Sequence, residues 1–97
     1  MDDERSFLTE EGSPWDSWAI QLHLLTRDIE ANPDSPVHYL LRGEEWLARE
    51  QREQARADFE AALDLAGQLL EQSSWGYVYQ SYMDRAEAGL RQCGGED

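Results

Sequence analysis

The chain contains no lysine. All eight of its basic residues are arginine, set against 21 acidic residues, for a formal net charge of -13. No single segment owns that charge; the acidic excess recurs from the N-terminus to the C-terminus. A skin of this kind repels phosphate backbones and anionic lipid headgroups, so neither nucleic acid nor a membrane surface is expected as a partner. An all-arginine basic set fits a high-GC or salt-adapted bacterial genome. There is one cysteine, Cys93, which excludes an intrachain disulfide. Long apolar runs are also missing, so no membrane-spanning segment is expected. The acidic N-terminus lacks the basic region and apolar run of a secretory signal. These absences together set a cytoplasmic protein as the expectation.

The sequence carries helical periodicity. Residues 1–12 are polar, acidic and aperiodic, and read as a flexible tail. Ser13-Pro14 is a helix start, serine capping free amides and proline suiting the first helical position. Trp15, Trp18, Ala19, Leu22, Leu25 and Ile29 then form one apolar stripe, which Asn32-Pro33 ends. Ser35-Pro36 repeats the start signal for a second helix running to about Arg49. That helix has two apolar faces: Tyr39, Gly43 and Trp46 on one, and Val37, Leu40, Leu41, Leu47 and Ala48 on the other. Apolar residues around so much of the girth place it between neighbours or along a groove. A third helix starts near Arg52, with Ala55, Phe59, Ala62, Leu63, Ala66, Leu69 and Leu70 in its stripe. It is expected to continue through Gly67 to about Gln72. Arg49 with Glu53, and Arg56 with Glu60, are spaced for surface ion pairs. Ser73-Ser74 breaks the chain again, and a fourth helix carries Trp75, Val78, Tyr79, Tyr82, Met83, Ala86 and Leu90 until Gly94-Gly95 stops it.

Tyr39, Gly43, Trp46, Ala55, Phe59 and Ala62 recur at the spacing of two helices packed as a hairpin. Small residues stand where the helices approach and large ones where the groove between them is filled. With the runs Tyr39 to Gly43 and Ala57 to Leu63, the stretch 36–66 resembles one tetratricopeptide repeat. The first helix resembles the second half of a preceding repeat, although Gln21 and Asp28 stand where alanines are usual. The fourth looks like a cap that keeps the stripe without the small–large pattern. The glycine usual in the turn near Glu50-Gln51 is absent. The resemblance implies an all-α fold, a four-helix antiparallel array built on a tetratricopeptide-like hairpin. One helical domain is expected over residues 13–93, with a short tail at 94–97. Two layouts are open: outer helices that close a compact unit, or an exposed end that stacks on a second copy.

The resemblance further implies a non-catalytic module that binds a peptide or protein partner. Its groove would be lined by Val37, Leu40, Leu41, Glu44, Leu47 and Ala48, unless these are simply core. Some family members hold a partner's terminal carboxylate with lysine and asparagine; Leu40 and Glu44 occupy the matching positions, so that activity is not implied. His23 and His38 are read as solvated and are not at metal-ligand spacing, so no metal or cofactor is expected. Glu44-Glu45 and Glu10-Glu11 are sequence neighbours and do not face each other on a helix. No nucleophile motif or phosphate loop is present, so no enzyme is expected. Cys93 lies near a helix C-terminus, where the dipole disfavours a thiolate. The rival reading is a self-assembling homodimer, pairing through Trp15, Trp18, Leu22 and Leu24 or through Trp75, Tyr77, Tyr79 and Tyr82.

Overall fold

The computed structural model describes residues 17–94. The Ser13-Pro14 start, the acidic tail, Trp15 and residues 95–97 lie outside the described residues. Four helices follow one another: α1 (Ser17–Ala31), α2 (Pro36–Ala48), α3 (Arg52–Gln72) and α4 (Gly76–Gly94). The described residues contain no strand. The fold is all-α.

Each break has a local cause. The residue before Pro33 is pushed out of helical geometry, and α1 ends one residue earlier, at Ala31. Ser35 takes the position before α2 with Pro36 in its first turn, but the Ser35 hydroxyl makes no capping bond. Proline, which needs no amide partner, carries this start. Between α2 and α3 the chain turns without glycine. Glu50 adopts φ 61°, the left-handed conformation that side chains other than glycine rarely take. The Gln51 amide donates to the Trp46 carbonyl at 2.9 Å and the Glu50 amide to the Leu47 carbonyl at 2.9 Å. This pair of bonds is the Schellman cap, which satisfies carbonyls left free at a helix end. The helices on either side are therefore separate rather than continuous. After α3 the chain is extended at Ser73, whose Oγ accepts from the Trp75 amide at 2.9 Å.

Residues in contact give the direction of each helix. Trp18 meets Arg49 and Thr26 meets Arg42, so α1 and α2 are antiparallel. The three-residue turn folds α3 back on α2. Phe59 meets Gly89, and Gly67 faces Met83, so α4 runs against α3. It follows that α4 is parallel to α2. The layers form an open array: α1 approaches α2 alone, while α4 packs on α3 and along the edge of α2. The outer helices α1 and α4 do not meet, which removes the closed four-helix unit.

The core lies in the trough between α2, α3 and α4. Leu40, Ala55, Phe59, Ala62 and Ala86 are fully buried, with Cys93 beside them. Phe59 is the largest of these side chains; burying a ring of this size is worth roughly 2–3 kcal/mol. It lies between two glycines. A β-carbon on Gly43 would come within 2.9 Å of the ring, and one on Gly89 within 2.4 Å. Gly43 was expected to lie against α3 near Ala55 or Phe59, and it does. Trp46, expected to be buried there, is half-buried and packs on the edge of the core. Gly89 corrects the reading of α4 as lacking a small–large pattern: it brings α4 onto Phe59 as Gly43 brings α2.

Candidate interaction groove

Two parallel helices, α2 and α4, border a groove floored by α3. A hydrogen-bonded ion pair crosses it: Arg85 donates to Glu44 through Nη2 at 2.6 Å and Nε at 3.2 Å. Glu44 holds the Arg85 guanidinium in its charged form, raising an already high pKa against a smaller cost of desolvation. Both side chains are partly in water, where such pairs contribute about 0–1 kcal/mol. The bridge thus shapes the groove more than it stabilises the fold.

Two clefts lie along this seam. The first, of about 400 Å³, is lined by Glu44, Leu47, Ala48, Phe59, Arg85, Ala88, Gly89 and Gln92. The second, of about 420 Å³, lies at the starts of α2 and α4 and includes Asp34, Val37, Trp75, Val78, Tyr79 and Tyr82. Tyr79 and Tyr82 meet edge to face at 6.1 Å. Trp75 and Tyr77 are 58% and 71% exposed, their rings 6.2 Å apart and tilted at 49°.

The six residues placed on a groove from sequence therefore separate. Glu44, Leu47 and Ala48 line the first cleft and Val37 the second. Leu41 is half-buried and lines neither. Leu40 is fully buried and belongs to the core; no partner can reach it. Sequence reasoning missed the whole α4 wall of the first cleft. The available signal was Ala86, Gly89 and Cys93 recurring at helical spacing, with a glycine where a large residue is usual.

The contact between α1 and α2 adds polar bonds to the buried stripe of Leu22, Leu25 and Ile29. Arg42 makes a two-pronged pair with Asp58, Nε to Oδ2 at 2.7 Å and Nη2 to Oδ1 at 2.9 Å, and its Nη1 donates to Thr26 Oγ1 at 3.1 Å. Asp58 is buried, and its bonds to Arg42 hold that guanidinium charged against the opposing effect of burial. Three helices are joined at one guanidinium. Arg49 stacks over the Trp18 ring at 4.8 Å instead of pairing with Glu53. Arg56 donates to the Cys93 carbonyl at 3.2 Å rather than to Glu60.

His38 departs from the solvated reading. It is half-buried, 3.8 Å from Asp28 through Nε2, and its Nδ1 is buried without a partner among the described residues. His23 is exposed. Among the described residues no three His, Cys, Asp or Glu side chains converge as a metal site would require. Cys93 is buried, and burial raises its thiol pKa while Arg56 and Arg52 pull it the other way. No described helix is long and apolar enough to cross a membrane.

Comparison with known families, curated proteins and solved structures finds no match for the chain.

Proposed function

We propose that the chain is a non-catalytic interaction module of the bacterial cytoplasm, tetratricopeptide-like in design, that holds a peptide or protein segment in the groove between α2 and α4. One observation carries this reading. The groove presents two clefts whose walls are more apolar than polar, and a hydrogen-bonded ion pair, Glu44 with Arg85, lines the first of them. Concave apolar surface with a few placed polar groups is what ligand sites offer. The reading includes no catalysis and no cofactor.

The test uses the intact chain as bait in an extract of its host. A specific protein retained by the parent should be lost on Ala48→Arg, which fills the first cleft from an exposed position. It should be kept by Glu60→Lys, on the far face of α3. Retention that is indifferent to Ala48→Arg counts against the groove.

Homodimerisation is the second reading. It draws on Ile20 and Leu24, which are 45% and 52% exposed on α1, since apolar residues grouped on an outer helix suit an interface. Leu22, named for the same surface, is buried against α2. Sedimentation equilibrium at low and moderate salt should then give a dimer that Leu24→Glu dissociates. A monomer mass under both conditions removes it.

A further inference from the structure

The second cleft differs in chemistry from its neighbour. Trp75, Tyr79 and Tyr82 line it, and Asp34 is the one charged side chain among its described lining residues. Aromatic faces carry partial negative charge and attract cations, arginine above all. Val37 and Val78 offer apolar wall to the methylene stem of a long basic side chain. The net charge of -13 adds long-range attraction for anything cationic. The starts of α2 and α4 favour anions within the first turn, which this cleft includes, so a cation must be drawn by the rings and by Asp34 against that effect. Asp34, two residues before Pro36, opposes it at the start of α2.

The geometry points to a cation-binding cleft that takes an arginine or lysine side chain from a partner protein. The stem lies between Val37 and Val78, the charged head lies over the aromatic rings, and Asp34 supplies the counter-charge. That the cation comes from a protein rests on the interaction reading above; the chemistry of the cleft does not.

Two small probes separate charge from shape: acetyl-arginine amide and its neutral analogue acetyl-citrulline amide. Each is titrated into the intact chain while amide and indole nitrogen–proton correlations are recorded. Trp75→Phe identifies the Trp75 indole among the four tryptophans. The arginine probe should bind in the millimolar range and move the Trp75 indole with the Val78 and Tyr79 amides. It should bind about tenfold more tightly than the citrulline probe, an advantage that salt reduces. Asp34→Asn and Trp75→Ala should each weaken it several-fold with an unchanged far-ultraviolet spectrum, since both side chains are exposed. Equal binding of the two probes, tighter binding of acetyl-glutamate amide, or shifts confined to the cleft at Ala48 and Gln92 would overturn the proposal. Each of those failures leaves the Ala48→Arg retention test standing. Conversely, arginine binding by a chain that retains no protein would support the cleft and count against the interaction reading.

Discussion

The two faces of α2 are held by different forces. Toward α3 and α4 it packs by close approach, with Gly43 against Phe59 and fully buried Leu40 beneath. Toward α1 the buried stripe of Leu22, Leu25 and Ile29 is joined by a Thr26 bond to the Arg42 guanidinium that Asp58 of α3 holds, an arginine stacked on Trp18, and a histidine near Asp28. The buried residues of α1, Leu22, Leu25 and Ile29, each keep a little solvent contact, whereas Leu40, Ala55, Phe59, Ala62 and Ala86 keep none. Close packing tolerates no added atom. Polar stitching at an edge tolerates change but contributes less, because each group gives up contacts with water. One helix therefore belongs to a rigid seam on one side and a yielding seam on the other.

The sharpest way to break this contrast is at Gly89. A methyl there would enter the Phe59 ring, so Gly89→Ala should cost about 3 kcal/mol or more, read from urea midpoints. Gly43→Leu, at the same ring, should cost roughly 1–3 kcal/mol or more. Adding Phe59→Leu to Gly89→Ala should recover part of the loss, because the smaller side chain vacates the space. If Gly89→Ala unfolds with the parent, the rigid seam is misplaced.

Asp58→Ala comes next. It leaves Arg42 partly buried without its partner, which costs up to about 3–5 kcal/mol for a fully buried pair. Arg42 retains 21% side-chain exposure, so about 2 kcal/mol is expected here. Thr26→Val, which removes only the outermost bond, should cost about 1 kcal/mol. A Thr26→Val loss larger than that of Asp58→Ala would mean the shared guanidinium is held mainly from α1.

The yielding seam should open first. Amide exchange under native conditions is expected to protect α1 less than the centre of α3, and Trp18→Ala to widen that gap by about 1 kcal/mol. Equal protection of the two helices would make the molecule one cooperative block and erase the difference between the seams.

The smallest effects are gains. Gly67 sits inside α3, where a β-carbon would meet only the end of Met83 at 3.9 Å. Gly67→Ala should therefore stabilise by about 1 kcal/mol through helix propensity alone. Glu50→Gly should add a similar amount, about 1 kcal/mol, by relieving the left-handed backbone. The same glycine-to-alanine change thus has opposite signs at Gly67 and Gly89, decided by what the methyl meets. Thermal midpoints of the single variants check both.

Most of the fold was legible because its signals are local. The start of α2 at Pro36, the span of α3 from Arg52 to Gln72 and the break at Ser73 follow from proline placement, periodicity and polar interruption. The hairpin partner of Gly43 was legible because glycine and phenylalanine recurred at a familiar spacing. The α4 wall was not. Glu44 and Arg85 stand 41 residues apart, against about 34 for the repeat the hairpin resembles. The continuation of α3 past Gly67 lengthens that interval, so Gly89 falls out of step with a template placed on Gly43. The ion pairs failed for another reason. Spacing places Arg49 near Glu53, but Arg49 ends a helix rather than riding within one, and its side chain turns to the Trp18 ring. Leu40 was assigned to the groove because its position matches a lining residue of the repeat that the hairpin resembles; it is instead fully buried in the core with Phe59 and Ala86.

Phe59 has one more effect, on measurement. Both walls of the groove touch the same ring through a residue without a side chain, so neither can slide along α3 without striking it. Each wall is set from a common origin, as the jaws of a caliper are set from one scale. The distance between the aromatic cleft and the cleft at Ala48 is then a fixed length along the molecule. A segment reaching across both would be selected for the interval between its anchoring side chains as well as for their chemistry.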